Sequence, residues 1–285
     1  MMKILAIGDF HGDFPEKLKV LIKNEKPKLI LSTGDYAGIK EWRPLLKKIF
    51  KARNNGKNLS ALEILGTKKY NLLLKKDFND GKKVIENLNK LKIKTFSVFG
   101  NGDWYEPIPN DSKRNYAKLI KKLNYIKNIN RGHGSFEKLK ITGFGGYLDP
   151  DAYFTKIGIK AINEDKETNK ERKIGYDYEE EKLMNLIKNK PEILLIHYTP
   201  YGCLDRLKEK DSPLNGKNLG VSSYNRAIEK FKPVLVICGH MHENQGSCNI
   251  GKTIIVNPGS ASEGKAAIIE FDEKEKKIKG VKFIK

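Results

Sequence analysis

The side chains of this chain best suited to chemistry stand in five short groups: Asp9-Phe10-His11-Gly12-Asp13, Gly34-Asp35, Gly100-Asn101-Gly102-Asp103, His197, and Gly239-His240-Met241-His242. Carboxylate, imidazole and amide oxygen are donors for a divalent cation such as Mn, Fe, Zn or Ni, and no thiolate is among them. Each group alone is a weak signal. Gly-Asp and Gly-Asn are common turns, and a single His after a strand more often packs or meets solvent. His240-Met241-His242 is stronger, since two imidazoles two residues apart on extended chain need a reason to converge.

Their positions raise the set above its parts. Each group follows an apolar run that reads as a strand: 3–8, 28–33, 94–99, 192–196 and 234–238. In parallel α/β sheets functional groups gather beyond the carboxyl ends of the strands, so five strands bring metal donors to one edge. Further strands are expected at 138–142, 252–256, 265–271 and 277–284. Helices are expected from Asp13-Phe14-Pro15-Glu16, which resembles a capping box, to about Asn24, and over 113–123 and 223–231. This order predicts a mixed-sheet α/β domain spanning 1–285. Two insertions interrupt it: a helical one at about 40–80, with a Lys/Asn/Gly-rich loop at 51–58, and a polar, charged one at 151–177.

In order and strand context the groups resemble the calcineurin-like metallophosphoesterase family, whose pattern is D-x-H, G-D, G-N-H-[DE], a lone H and G-H-x-H. The likeness runs from residue 4 to about 260, and the stretches 197–202 and 256–260 also look like the family's later loops. It implies an α/β sandwich of two mixed β-sheets flanked by helices, with two divalent metal ions. Asp9, His11, Asp35 and His242 would hold the first; Asp35, Asn101, His197 and His240 the second, with Asp35 bridging. Two cations roughly 3.5–4 Å apart activate a bridging hydroxide for in-line attack on phosphorus and neutralise charge on the phosphoryl oxygens. The implied activity is hydrolysis of phosphodiesters or aryl phosphates.

One position departs from the family. Its G-N-H histidine is replaced by Gly102. A missing general acid costs roughly 10²–10⁴ in rate, most for poor alkoxide leaving groups, so diesters and aryl esters are expected ahead of alkyl monoesters. Asp103 remains as a catalytic candidate, able to orient an imidazole restored at 102. Of the five histidines, only His133, in Arg131-Gly132-His133-Gly134, is left over to serve as acid; the plainer reading makes it part of a glycine-rich turn. Two other functions fit the same fold. A non-catalytic interaction module has only Gly102 in its favour. A metal-dependent nuclease has the charge.

That charge is +20, with pI about 9.6. It attracts phosphate-rich partners such as a nucleotide or nucleic acid, yet the lysines are spread along the whole chain and specify no groove. With 39% hydrophobic and 32% charged residues the chain reads as folded and globular. No apolar run suffices to span a bilayer, and the first strand runs into Asp9 without a cleavage site, so a cytoplasmic protein without a membrane partner is expected. Cys203, Cys238 and Cys248 are odd in number and form no CxxC, which predicts free thiols. Gly143-Phe144-Gly145-Gly146 lacks the full dinucleotide fingerprint and reads as a tight turn. Trp104 and Tyr105 either stack on a base or aryl group or pack beside the site. No pattern specifies an oligomeric state.

Overall fold

Strands β1 (Met2–Ile7), β2 (Leu29–Ser32) and β3 (Lys94–Ser97) are almost wholly buried, and β1 and β2 are nearly continuous apolar runs because both their faces are covered. Along β1, Leu5 and Ile7 turn towards helices, while Ile4 and Ala6 turn towards a second sheet. The computed structural model describes residues 1–54, 56–105, 113–147, 179–208 and 215–285. They form two six-stranded mixed sheets packed face to face and flanked by helices, the calcineurin-like fold.

The remaining strands are β4 (Ile126–Asn128), β5 (Gly132–Phe136), β6 (Leu139–Phe144), β7 (Ile193–Ile196), β8 (Leu235–Ile237), β9 (Gly246–Ile250), β10 (Thr253–Asn257), β11 (Ala266–Asp272) and β12 (Lys277–Ile284). The first sheet has the order β12-β11-β1-β2-β3-β4, the second β5-β6-β7-β8-β10-β9. Within the first, β1 to β4 are parallel; within the second, β6, β7, β8 and β10 are parallel. Ile4, Leu31, Phe96 and Val98 meet Ile141, Leu195 and Ile237 between the sheets.

Helices α1 (Glu16–Glu25), α2 (Trp42–Asn54), α3 (Ala61–Lys90) and α4 (Tyr116–Ile120) follow from the first half of the chain; a helix over 179–187, α5, and α6 (Ser222–Phe231) come from the second. α1, α3 and α4 cover the first sheet through Leu18, Ile22, Val84, Ile85, Leu88 and Ile120. α5 and α6 cover the second through Leu183, Ile187, Ala227 and Ile228. The helical region expected to end near 80 continues to Lys90, because Val84, Ile85 and Leu88 belong to the core. Ser60 and Glu63 cap α3 reciprocally, and Gly66 breaks its first turns at φ 70°. The insertion expected at 151–177 lies outside the described residues.

Several local expectations change. α1 begins at Glu16 after Pro15, and no side chain caps it, since Asp13 stands two residues before the N-cap position. α4 is a short helix capped by Asn115, whose side chain accepts the Lys118 N–H at 2.9 Å. The glycine-rich stretch around His133 is strand β5, not a turn. Cys203 and Cys248 are joined by a disulfide with Cα atoms 6.1 Å apart; only Cys238 is a free thiol, and it is buried. A separation of 45 residues concealed that pair. No helix among the described residues is long and apolar enough to cross a membrane.

The first sheet is tied at its open edge by Glu25, which accepts hydrogen bonds from Lys3 Nζ of β1 at 2.8 Å and Lys282 Nζ of β12 at 2.7 Å. Lys282 and then Lys3 pull its carboxyl from 4.5 to about 2. The folded pKa lies below the unfolded one, so this stabilisation is present above pH 4.5 and is lost as pH falls towards 2. Because both lysines are in solvent, Glu25→Gln is expected to cost at most about 1 kcal/mol at pH 7. In urea denaturation the gap from the parent should narrow at pH 3. An equal gap at both pH values would overturn this account.

Candidate metal centre

The loops after β1, β2 and β8 carry backbone strain. Asp9 (φ 55°), His11 (φ 47°), Asp35 (φ 51°) and His240 (φ 67°), four of the seven expected ligands, lie in the left-handed region. Such residues cost of order 1–3 kcal/mol each and persist where their surroundings over-determine them. Two aspartates do so here. Asp103 accepts the backbone N–H groups of Asp35 (2.9 Å), Tyr36 (2.7 Å), Ala37 (3.2 Å) and Gly100 (2.9 Å). Asp77, reaching in from α3, accepts those of Gly38 (2.7 Å) and Ile39 (3.2 Å) and the Trp104 indole N–H (2.8 Å). The first loop then hangs on the second: the N–H groups of Phe10 and His11 both donate to the Asp35 carbonyl.

Each motif glycine is required by its neighbour. A Cβ at Gly100 would stand 2.0 Å from Asp35 Oδ1, one at Gly239 2.6 Å from Asp9 Oδ2, and one at Gly34 2.3 Å from the Gly100 nitrogen. Gly102 is different. Its φ is not left-handed, and a Cβ there would meet only Asp35 Oδ1, at an ordinary 3.5 Å. Its N–H donates to that same oxygen at 2.9 Å.

On this frame Asp9, His11, Asp35 and His242 each offer a ligand atom, all within 4.8 Å of one another. His11 Nε2 and His242 Nε2 are 2.9 Å apart, and His242 Nε2 lies 3.3 Å from Asp9 Oδ1. Beside them, His197 Nδ1 donates to the Thr33 carbonyl at 2.9 Å. That fixes the tautomer and leaves the Nε2 lone pair facing Asn101 Oδ1 at 2.9 Å and Asp35 Oδ2 at 3.7 Å. The His240 ring packs on His197 (centroids 5.2 Å apart) and Tyr198 (4.4 Å). All seven residues are thus brought to one place, with Asp35 adjoining both sets.

The electrostatics favour electron-pair donors. Burial pushes the His240 imidazole down to about 3, helped by His197, and burial likewise lowers His11. Burial opposes the Asp9 charge, but His242 holds that carboxyl well below its usual range; the same pairing raises His242 against its own burial. Imidazoles held neutral at His11 and His240, with carboxylate and amide oxygens close by, suit a divalent cation. The residues present therefore fit the metals of the family the sequence resembles.

Two sequence candidates play other parts. Burial, then the Asp35 charge, raises the Asp103 carboxyl, while four backbone N–H groups occupy all the lone-pair sites a carboxylate has. It anchors loops and has no capacity left to orient an imidazole at 102. His133 is not brought to the cluster: on β5, its Nδ1 lies 3.1 Å from Thr142 Oγ1 and from Asn189 Nδ2. Asp77 escaped the sequence reading altogether. Its one signal, a carboxylate on an amphipathic helix face, does not separate it from solvent-facing neighbours such as Asp80.

A cavity of about 610 Å³ opens in front of the cluster, floored by His11, Asp35, Asn101, Gly102 and His242. Its walls are Trp42, Arg43 and Leu46 of α2 on one side and Tyr105 and Tyr147 on another. Trp104 mostly packs, between Phe78 and Arg114, and Tyr105 stacks on Phe99.

Residues 1–281 match the family model described as metallophosphoesterase, calcineurin superfamily. An uncharacterised protein of Methanocaldococcus jannaschii is 30% identical over 193 residues, which is 65% of this chain and 73% of that protein. Among solved structures, one crystal structure superposes with a TM-score of 0.65 at 22% identity, covering 100% of this chain and 98% of the other. The crystal structure of the Thermus thermophilus protein TT1561 superposes at 0.56 with 17% identity, covering 99% and 98%. At these identities the structural likeness shows the fold.

The glycine geometry makes a paired test. Gly100→Ala forces a methyl into the Asp35 carboxylate and should cost about 1–3 kcal/mol and lower the divalent metal retained; Gly102→Ala, two residues on, should change neither by much. Thermal unfolding and elemental analysis of both variants check this. Equal behaviour of the two would refute the assignment of Gly100 to the approach of Asp35.

Proposed function

Because this chain belongs to the calcineurin superfamily of metallophosphoesterases, we propose that it is a metal-dependent phosphoesterase that hydrolyses phosphodiesters and aryl phosphates ahead of alkyl monoesters. The observation that carries this is that Asp9, His11, Asp35 and His242 offer ligand atoms within 4.8 Å of one another, with Asn101, His197 and His240 beside them, at an open cavity. When bound, divalent cations activate a water and draw charge from the phosphoryl oxygens.

The chain's own residues supply the rest. Asp35 adjoins both donor sets and would be the bridging ligand; the Gly102 N–H and the Asp103 clamp hold it there. The Thr33 carbonyl keeps the Nε2 lone pair of His197 directed into the site. α2 forms one wall for the organic part of the ester, which lies across from Tyr105 and Tyr147. No side chain at 102 protonates the leaving oxygen, so esters whose leaving group departs unprotonated react fastest. A non-catalytic module has little to recommend it, since the full donor set is retained. Charge alone does not favour a nuclease.

After reconstitution with Mn the protein should hold two metal ions per chain and hydrolyse bis(p-nitrophenyl) phosphate. Asp9→Asn, Asn101→Ala and His197→Ala should each lower metal content and abolish turnover. Elemental analysis finding no divalent ion after loading with Mn or Fe would defeat the proposal.

Across a series of esters, log rate should fall steeply as leaving-group pKa rises. Gly102→His should raise turnover of poor leaving groups more than good ones and flatten that slope. The gain should stay below the roughly 10²–10⁴ of a well-positioned general acid, since Asp103 is committed elsewhere. An unchanged slope in a fully metal-loaded Gly102→His enzyme would show that protonation comes from another group.

A further inference from the structure

α2 lies outside the strand-and-loop frame that presents the donors, yet it sends a cation to the same cavity. Arg43 shares that cavity with His11, Asn101, Gly102 and His242. Arg131 and Arg226 are paired with Glu179 and Glu180. Arg43, by contrast, has no carboxylate within ion-pair distance among the described residues. The same cavity takes in Gly102, where a Cβ would meet only the Asp35 carboxylate within 4 Å among the described residues.

We propose that Arg43 is the phosphate-binding residue of this cavity, its guanidinium taking non-bridging phosphoryl oxygens over the space that Gly102 leaves open. The inference rests on the phosphoesterase reading and adds to it the group that recognises substrate. A guanidinium is a planar fork that grips phosphate through two parallel N–H bonds and stays charged at any working pH. It compensates phosphoryl charge as an imidazolium would, but it gives no proton to a leaving oxygen. An arginine on α2 together with a glycine at 102 therefore makes a site that binds the phosphoryl group firmly and leaves departure of the leaving group to its own acidity. The apolar and aromatic faces of Trp42, Leu46, Tyr105 and Tyr147 around it suit an ester whose organic part is planar or aryl.

The test titrates inorganic phosphate into Mn-loaded protein by calorimetry, using the parent chain, Arg43→Ala, Arg43→Lys and Lys48→Ala. Lys48 lies on the same helix, exposed and outside the cavity lining. Metal content and unfolding temperature should be the same in all four. Phosphate affinity should fall roughly 10- to 100-fold in Arg43→Ala, recover in part in Arg43→Lys, and stay within about twofold in Lys48→Ala. A parent that binds no phosphate, an Arg43→Ala variant that binds it as well as the parent, or an equal loss in Lys48→Ala overturns the proposal. Ester hydrolysis separates the two readings. Arg43-dependent phosphate binding without turnover of any ester keeps Arg43 and sinks the hydrolase. Parent-like kcat and KM in Arg43→Ala keep the hydrolase and sink Arg43.

Discussion

One carboxylate holds the site together. Asp103 gathers four backbone N–H groups, three from the loop after β2 and one from the loop after β3, and so fixes two strand ends to one point. The left-handed Asp35 is held in that grip, and the loop carrying Asp9 and His11 leans on the Asp35 carbonyl. Asp77 repeats the device one step further out and ties the same loop to α3 and Trp104. An anion suits both places because each presents only acceptors to a cluster of backbone and indole donors. The strain in the loop after β2 is sustained by these two side chains, while the left-handed His240 is held by the Asp9 carboxylate, which accepts its N–H.

Much of the architecture was legible in the chain because strands buried on both faces must be apolar throughout, and the donors stand directly after them. Ile4-Leu5-Ala6-Ile7 and Leu29-Ile30-Leu31 announce themselves this way. The strands that escaped are the ones where this logic fails. β4 and β9 are short or alternate with polar residues at a sheet edge. β5 reads as a turn because it carries Gly132 and Gly134; a Cβ at Gly134 would strike the Phe96 ring at 2.5 Å, so that glycine serves the packing of one sheet on the other. Gly143 and Gly145 likewise admit the Ile129 and Phe99 carbonyls, each 2.4 Å from a would-be Cβ.

The candidate donors were legible for another reason: they follow expected strands and fall in a recognisable order, and four of them, Asp9, His11, Asp35 and His242, come within 4.8 Å of one another. The roles of supporting residues were not. Asp103 follows a motif position, so it reads as part of the chemistry until its four backbone partners are seen. Asp77 sits 42 positions after Asp35 (77 − 35) on a helix rich in charge, where nothing in the local pattern marks one carboxylate as turned inward. The Cys203–Cys248 bond was hidden in the same way, by a fold that brings distant loops together. Hydrogen bonds between backbone and a remote side chain leave no periodic trace.

The donors also divide by origin. Asp9, His11, Asp35 and Asn101 hang from strands of the first sheet, and His197, His240 and His242 from strands of the second. Between the sheets the core contact is apolar and without direction; at this rim the two halves offer each other oriented donor groups. A cation gripped by both would act as a rivet through the seam. Its free energy of binding would then be shared with the cohesion of the whole sandwich, growing as RT ln(1 + [metal]/Kd), and chelation would loosen the rim that faces the cavity while the opposite rim keeps its hold through apolar packing and the Lys276–Glu192 ion pair.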